Sequence, residues 1–513
     1  MRYLFPLFIV LSCCLTFLSG CEPKEDLVQT TGKLEFDRDS VKFDTVFTTI
    51  RTVTKRLWVY NRNSGAVKTD VSLAGKQGTT YSLIINGDAG SSASGVTIRG
   101  NDSLLVLVRA VLGDNSTTKP FLLEDQVNFR TNGNEQNVKL VAYGQNAYFH
   151  SGELNLSSGT TYVWRNDKPH VIINSYVPSV KADVGVYVGQ GATLQVEPGA
   201  KIYCHAGATI QVAGALKINA TINLVPGDTT AAKRATVRFQ GDRLEPFYND
   251  IAGQWGGIFF TSTSRNNDIR YTEIKNANFG VSLLNTDANS APIDLRLENV
   301  IFRNISGSNP NYVGTGLPPG GIIGVRSTIN ATNCLLTNCG EYAVRGFGGT
   351  FNLNFCTIAN YTPSFQRQTS SVSFSNELSD AAGNPVKFPL VINLTNSIVW
   401  GNYENELELI NNADPNYTIN IRNTLLRTKD FQAATNATNK PGLGAPTLAN
   451  LVTETDPLFK RTTLTSSRPD YRLQDTSPAK RRTPYTTNIS VPGIDLLNLP
   501  RLNRNQTSLG AYE

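Results

Sequence analysis

The sequence predicts an all-β chain in which a small sandwich precedes a long solenoid of stacked parallel strands. Three observations predict it. Charged residues make up only 17% of the 513, below the usual quarter, while Asn, Thr and Ser are abundant, which suits strands joined by polar turns. No apolar period of 3.6 residues persists over any long window beyond the first twenty residues. A short motif, apolar-x-apolar-x-Asn, recurs through the second half of the chain, as stacked repeats require.

The elements follow in order. Residues 1–20 open on Met1-Arg2-Tyr3, run apolar from Leu4 to Leu18 and end on Ser19-Gly20. A basic start, an apolar core and small residues before a cut describe a secretory signal peptide. The run is about 15 residues, short of the ~20 that cross a bilayer as a helix. Leu18-Ser19-Gly20-Cys21 resembles the lipobox of bacterial lipoproteins, which implies cleavage before Cys21 and lipidation of that residue. Several acyl chains would anchor the protein stably. Residues 21–32 then form the lipidated Cys and a linker. Within them Lys24-Glu25-Asp26 resembles the surface-export signal of some Gram-negative lipoproteins. That resemblance implies the outer membrane as partner, with the protein facing the cell surface. From the residues alone, an ordinary secreted protein and a plain charged linker stay open.

Residues 33–147 alternate as strands do: Val41 and Phe43 against Lys42, Leu57, Val59 and Asn61 against Trp58 and Tyr60, and Val138, Leu140 and Ala142 near the end. Turn clusters separate them at Asn61–Gly65, Asn86-Gly87, Gly113–Asn115 and Asn132-Gly133. Several short strands so divided predict a β-sandwich. Phe43–Phe47, Asn132–Asn134 and Val138–Gly144 resemble an immunoglobulin-like domain common in bacterial surface lipoproteins, which implies a spacer or contact module.

The solenoid is expected over residues 148–455. Gly191–Val196 and Gly207–Val212 are near copies at an offset of 16, as are Lys201-Ile202 and Lys217-Ile218. This places Leu194 and Val196 below Ile210 and Val212, and Ile202 below Ile218. Downstream, the Asn motif closes on Asn276, Asn304, Asn338, Asn360 and Asn402, from Thr272-x-Ile274, Val300-x-Phe302, Cys334-x-Leu336, Cys356-x-Ile358 and Ile398-x-Trp400. A weaker copy is Thr424-x-Leu426-x-Thr428. Alternation sends the apolar pairs inward, and Asn at the turn accepts the left-handed conformation and bonds along the stack. Cys334 and Cys356 then occupy one inward position on adjacent coils, packing first and a disulfide second, while Cys339 reads as a loop thiol. The segment around 150–185 and the tail 456–513 are the expected covers for the two open ends.

This region resembles the pectin-lyase-like right-handed parallel β-helices. Leu194–Ile202, the block Asp242–Ile258 with Gly253-Gln254-Trp255-Gly256-Gly257, and the closing Gly510-Ala511-Tyr512-Glu513 carry the resemblance. Ala252, Ser508 and Leu509 depart from it. The fold class is thus all-β, an N-terminal β-sandwich followed by a right-handed parallel β-helix solenoid with a C-terminal closing segment.

The chemistry is less legible. With 47 basic against 41 acidic residues and no basic run interleaved with aromatics, no nucleic-acid partner is expected. Cys13 and Cys14 leave with the signal. Cys204, Cys334, Cys339 and Cys356 contain no CxxC pair, and the three His are His150, His170 and His205, so no metal site is expected. Lyases of the resembled fold hold Ca²⁺ with acidic residues and use a Lys or Arg base. Here Asp268, Glu273, Asp294 and Glu298, with Arg270, Arg296, Arg303, Arg326 and Arg345, are spread over coils. No catalytic residue is assigned, and no cofactor beyond Ca²⁺ for a lyase. Asp242, Arg243, Glu245, Tyr248 and Trp255 are the candidate ligand contacts, Trp255 stacking on a sugar. The opposing reading is structural, a Trp sealing the core beside a tight Gly turn.

A surface glycan-binding or adhesive module leads, because a rigid solenoid offers an extended face to a polysaccharide. A polysaccharide lyase or glycoside hydrolase and a purely structural envelope component are the alternatives.

Overall fold

A computed structural model describes residues 28–513 except 49–53, 77–79, 114–116, 153–157, 179, 286, 288, 307–319, 364–365, 380–382, 411–416, 430–451, 454, 464–467, 487–490, 502 and 504. Cys21 and the features before residue 28 lie outside the described residues. No described helix is long and apolar enough to cross a membrane. The chain divides into two compact units, Met1–Asn146 and Ala147–Glu513.

The first unit is a β-sandwich of two five-stranded sheets. One orders Glu35–Phe36, Lys55–Asn61, Asp102–Ala110, Tyr81–Ile85 and Asp88–Gly90; the other orders Ser40–Phe47, Asn134–Gln145, Phe121–Thr131, Val67–Leu73 and Ser92–Ile98. Alternate residues point inward, so Leu57, Val59, Val106, Val108, Val127, Phe129, Val138 and Leu140 share one core. Asn86-Gly87 and Asn132-Gly133 all have positive φ, the turn that matches the twist of a two-residue hairpin. Asn61 points inward as its alternation requires. Its Nδ2 donates to the carbonyls of Gly65, Ile98 and Arg99 at 2.9, 3.1 and 3.0 Å, which satisfies a buried amide.

The second unit is the parallel β-helix, wound in the right-handed sense that parallel crossovers take. Three strands make a coil, and each pairs in parallel with its counterpart one coil on. The first face includes Val186–Val188, Thr209–Val212, Gly257–Phe260 and Val281–Leu284. The second begins with Thr161–Trp164, Thr193–Val196 and Ala215–Ile218. The third begins with Tyr148–Ser151, His170–Ile173, Lys201–Cys204 and Val237–Gly241. Longer strands turn a corner within the ladder. Asn267–Lys275 serves the second face through Ile269 and the third from Thr272, with Tyr271 at φ 43° between. One apolar core runs through the coils from Trp164 to Leu426.

Asparagines line the corners. Asn276, Asn304 and Asn338 have φ 62°, 55° and 52°. Asn304 donates to Asn276 Oδ1 at 3.2 Å and Asn338 to Asn304 Oδ1 at 2.8 Å. A second stack occupies the preceding corner with Asn299, Asn333, Asn396 and Asn423, again at positive φ, bonded Asn333 to Asn299 and Asn423 to Asn396.

The structure corrects four expectations. Leu194 and Val196 stack on Leu216 and Ile218, and Ile202 on Phe239; Ile210 stacks on Val186 and Ile258. An offset of 16 residues moves the chain to a different face of the coil, so the near copies are neighbours in sequence and not in the ladder. Second, Asn360 pairs with Gly401, and Ile358 with Val399. Ser397 and Val399 therefore point inward, while Ile398 and Trp400 point outward. Both sides of this strand are apolar, so alternation could not set the register. Third, Cys339 ends the strand Leu335–Cys339 and is fully buried. Cys204, Cys334 and Cys356 are buried free thiols as well.

Fourth, the tail runs along the side of the solenoid. Leu335, Ile398, Trp400 and Leu425 on the outer side of the third face pack against Phe459, Tyr471, Leu473, Ala479, Leu496, Leu509 and Ala511. The second asparagine stack holds the tail by its carbonyls: Asn423 donates to Thr483, Asn396 to Tyr485, Asn333 to Ile494 and Asn299 to Asp495, at 2.9–3.0 Å. The tail thus retraces the coils toward their start. At the first coil, His150, Trp164 and His170 form a buried stack with centroids 4.7–5.2 Å apart.

Candidate functional site

The candidate residues of the Asp242–Ile258 block stand in three places. Asp242 Oδ2 pairs with His205 Nδ1 at 2.7 Å. Arg243 grips Glu245 through two bonds of 3.2 and 2.9 Å and lies 4.1 Å over the Tyr248 ring. Trp255 is fully buried, and its indole N–H donates to the Lys275 carbonyl at 2.9 Å. The indole faces are packed in the solenoid interior, near Phe239. The exposed aromatic of the block is Phe247, 75% accessible, on the short 3₁₀ turn Pro246–Asp250.

The carboxylates and arginines noted along the coils distribute over all three faces. Asp268, Arg270, Arg296 and Glu298 form a network on the second face, at 2.9, 3.8 and 2.6 Å. Asp294 accepts from the Asn266 amide at 2.9 Å. Arg345 lies on the first face between the Tyr342 and Phe347 rings, 3.6 Å from Glu408. Arg326 lies over Phe388.

Of that set, Glu273 and Arg303 line a cleft. It has a volume of about 240 Å³ and lies where the turn bearing Asp250, the outer side of the third face and the tail meet. Asp250, Glu273, Arg303, Thr337, Arg468 and Tyr471 are among its lining residues. Strand register sets the floor: Glu273, Ile301 and Leu335 stand in one row on successive coils, and Arg303 pairs with Thr337 in the row beside it. Alternation then points these side chains away from the core.

The charges are ordered. Glu273 accepts from Arg238 Nε and from Arg303 Nε, the latter at 2.5 Å. Burial alone would raise the Glu273 pKa, but Arg303 and Arg238 outweigh it and hold the carboxyl at about 2. Asp250 lies between Arg303, at 3.5 Å, and Arg468, at 3.3 Å. Asp470 is paired with Arg472 at 2.5 Å. Lys275 donates to the Asn249 carbonyl at 3.1 Å; burial, and then Arg303, push its ammonium down to about 8. Thr337 donates to the Tyr471 hydroxyl at 2.7 Å. Among the described residues no group of three or more His, Cys, Asp or Glu could hold a metal ion.

Arg468 and Tyr471 escape a reading of the sequence. They lie more than 160 residues beyond Arg303 and reach the cleft only because the tail folds back. Lys275 and Arg238 carried a signal, as charged residues on the outward register of the repeat.

No family model matches the chain, and no curated protein matches it. Among solved structures, it is similar to the PapD-like domain 7 of human CEP192, at 13% identity over 25% of this chain and 94% of that one, with a TM-score of 0.16. It is similar to the N-terminal domain of PorA, at 13% identity over 22% and 97%, TM-score 0.18. The catalytic domain of GH87 alpha-1,3-glucanase in complex with nigerose aligns at 11% identity over 78% and 90%, TM-score 0.14.

Proposed function

We propose that the chain is a lipid-anchored envelope protein, held by Cys21 at the outer membrane and facing the cell surface, whose solenoid binds a glycan. The sandwich, read as immunoglobulin-like, serves as the spacer or contact module. One observation favours binding over hydrolysis. The cleft carboxylates are paired with guanidinium groups, and Glu273 is held ionised with a pKa of about 2. Glycoside hydrolysis needs one carboxylic acid that keeps its proton, and Glu273 cannot be that acid. The cleft volume, about 240 Å³, falls below the ~300–1,000 Å³ of small-molecule pockets, which suits one terminal or branching sugar of a polymer.

The test is incubation of the full chain with a panel of acidic and neutral polysaccharides, with and without Ca²⁺, reading retention and product size. Retention without shortening is the expected result. Shortened products would replace this reading with an enzymatic one, and neither effect would leave a structural role. Protease shaving of intact cells tests the location; a protected protein sinks surface exposure.

A further inference from the structure

We propose that the cleft is an oxyanion receptor, so that the glycan it takes carries a carboxylate or a sulfate, gripped by Arg303 with Arg468. The proposal rests on the reading of this cleft as a glycan site and names the group recognised there.

The geometry is built from below. Glu273 is almost wholly buried and takes the Nε–H of Arg303 at 2.5 Å. That bond fixes the guanidinium by its Nε edge and leaves the amino end toward the cleft. The two amino groups of Arg303 make no hydrogen bond among the described residues; Asp250 Oδ1 stands 3.5 Å from Nη1. Arg468 repeats the arrangement, its Nε donating to Asp250 Oδ2 at 3.3 Å. A guanidinium carries five N–H donors in a planar fork. One held by its Nε edge keeps the donors that pair with a carboxylate or sulfate.

The charge balance agrees. Of the lining charges, Arg303 and Arg468 stand against Asp250 and Glu273, while Asp470 is cancelled by Arg472; Arg238 and Lys275, outside the lining, add two cations beside Glu273. Two positive charges stand in excess. Burial is the main cause of the fall of Lys275 to about 8, and the nearby Arg303 and Arg468 lower it further, against Glu273 and Asp250. The Tyr471 hydroxyl, which accepts from Thr337 at 2.7 Å, still has its own proton to donate. Asp250 is the repulsive member of the site and would favour ligands that approach from the Arg303 and Tyr471 side.

The experiment is titration calorimetry of the full chain against two matched pairs: polygalacturonate with its methyl ester, and dextran sulfate with dextran. The charged member of at least one pair is expected to bind tenfold or more tightly than its neutral partner. The pair that shows it names the group as carboxylate or sulfate. Arg303→Gln is expected to abolish the preference. Arg468 is half exposed, so Arg468→Gln keeps the fold and is expected to cut it severalfold. Equal binding within both pairs, or a preference unchanged in Arg468→Gln, overturns the proposal and leaves glycan binding standing. If no polymer binds, the glycan reading falls and inorganic sulfate decides this one. Sulfate that raises the melting temperature of the wild type and not of Arg468→Gln sustains it, and equal response overturns it.

Discussion

Arg501 Nη2 donates to Asn333 Oδ1 at 2.9 Å, joining the tail to a corner of the solenoid 168 positions earlier. The guanidinium is fully buried, lies 4.3 Å over the Phe355 ring and also donates to Glu513, Ser508 and Gly510. Removing one partner of a buried charged network costs about 3–5 kcal/mol, because the remaining groups stay desolvated and unpaired. Arg501→Ala should therefore lower unfolding stability by that amount in a denaturant titration. Arg501→Lys should restore only part of it, since an ammonium cannot supply the planar fork.

Acid should open the first coil before the rest. Burial holds His150 at about 3 and His170 at about 4, and the two rings share a 2.9 Å hydrogen bond. Both folded values lie below the ordinary His value, so the unfolded chain takes up protons first as pH falls below about 6.5. Their stabilising contribution is present at neutral pH and declines as pH drops from about 6.5 toward 4, by on the order of 1.4 kcal/mol per pH unit for each ring. Glu273 follows lower down. Its folded pKa of about 2 lies below the ordinary Glu value, so its contribution is present above about 4.5 and lost as pH falls toward 2. Hydrogen exchange at about pH 5 should find the 148–173 amides losing protection ahead of the later coils. Uniform loss would count against the stack as the weak point.

Cys204, Cys334, Cys339 and Cys356 are fully buried, and burial raises the thiol pKa of Cys204, Cys334 and Cys339. A thiolate is the reactive form. In the native protein these positions should resist alkylation at neutral pH and react only after denaturation, as peptide mapping would show. Rapid native labelling of Cys339 would mean that it lies outside the core.

Trp255→Ala should cost about 3–5 kcal/mol, the range for emptying a buried aromatic site, and it also leaves the Lys275 carbonyl without its indole donor. Phe247→Ala, at an exposed position, should change stability by less than about 0.5 kcal/mol. Thermal unfolding of the two variants separates them. A stable Trp255→Ala protein would mean that the indole is not part of the core.

Much of the fold was legible because a solenoid repeats its local rules. The left-handed Asn at 276, 304 and 338 marked corners, and Val300-x-Phe302 and Cys334-x-Leu336 pointed inward as alternation requires. The register at Ile398 was not legible, since the outward side of that strand is apolar too and faces the tail. Nor was the stacking of Leu194 on Leu216, because sequence similarity between two faces of a coil imitates similarity between coils. The cleft was legible only as scattered charges. Nothing local tells that Arg303 and Arg468 share Asp250; that proximity exists only after the tail has retraced the stack.

The retracing tail also sets the length of the solenoid. Thr483, Tyr485, Ile494 and Asp495 meet Asn423, Asn396, Asn333 and Asn299 in strict reverse order. An open array of coils grows or shrinks by whole repeats at little cost. Here an added or deleted coil would slide every later donor past its carbonyl, so the tail acts as a ruler. A lengthened loop between strands, by contrast, would leave both the count of coils and the meeting of tail and corners untouched.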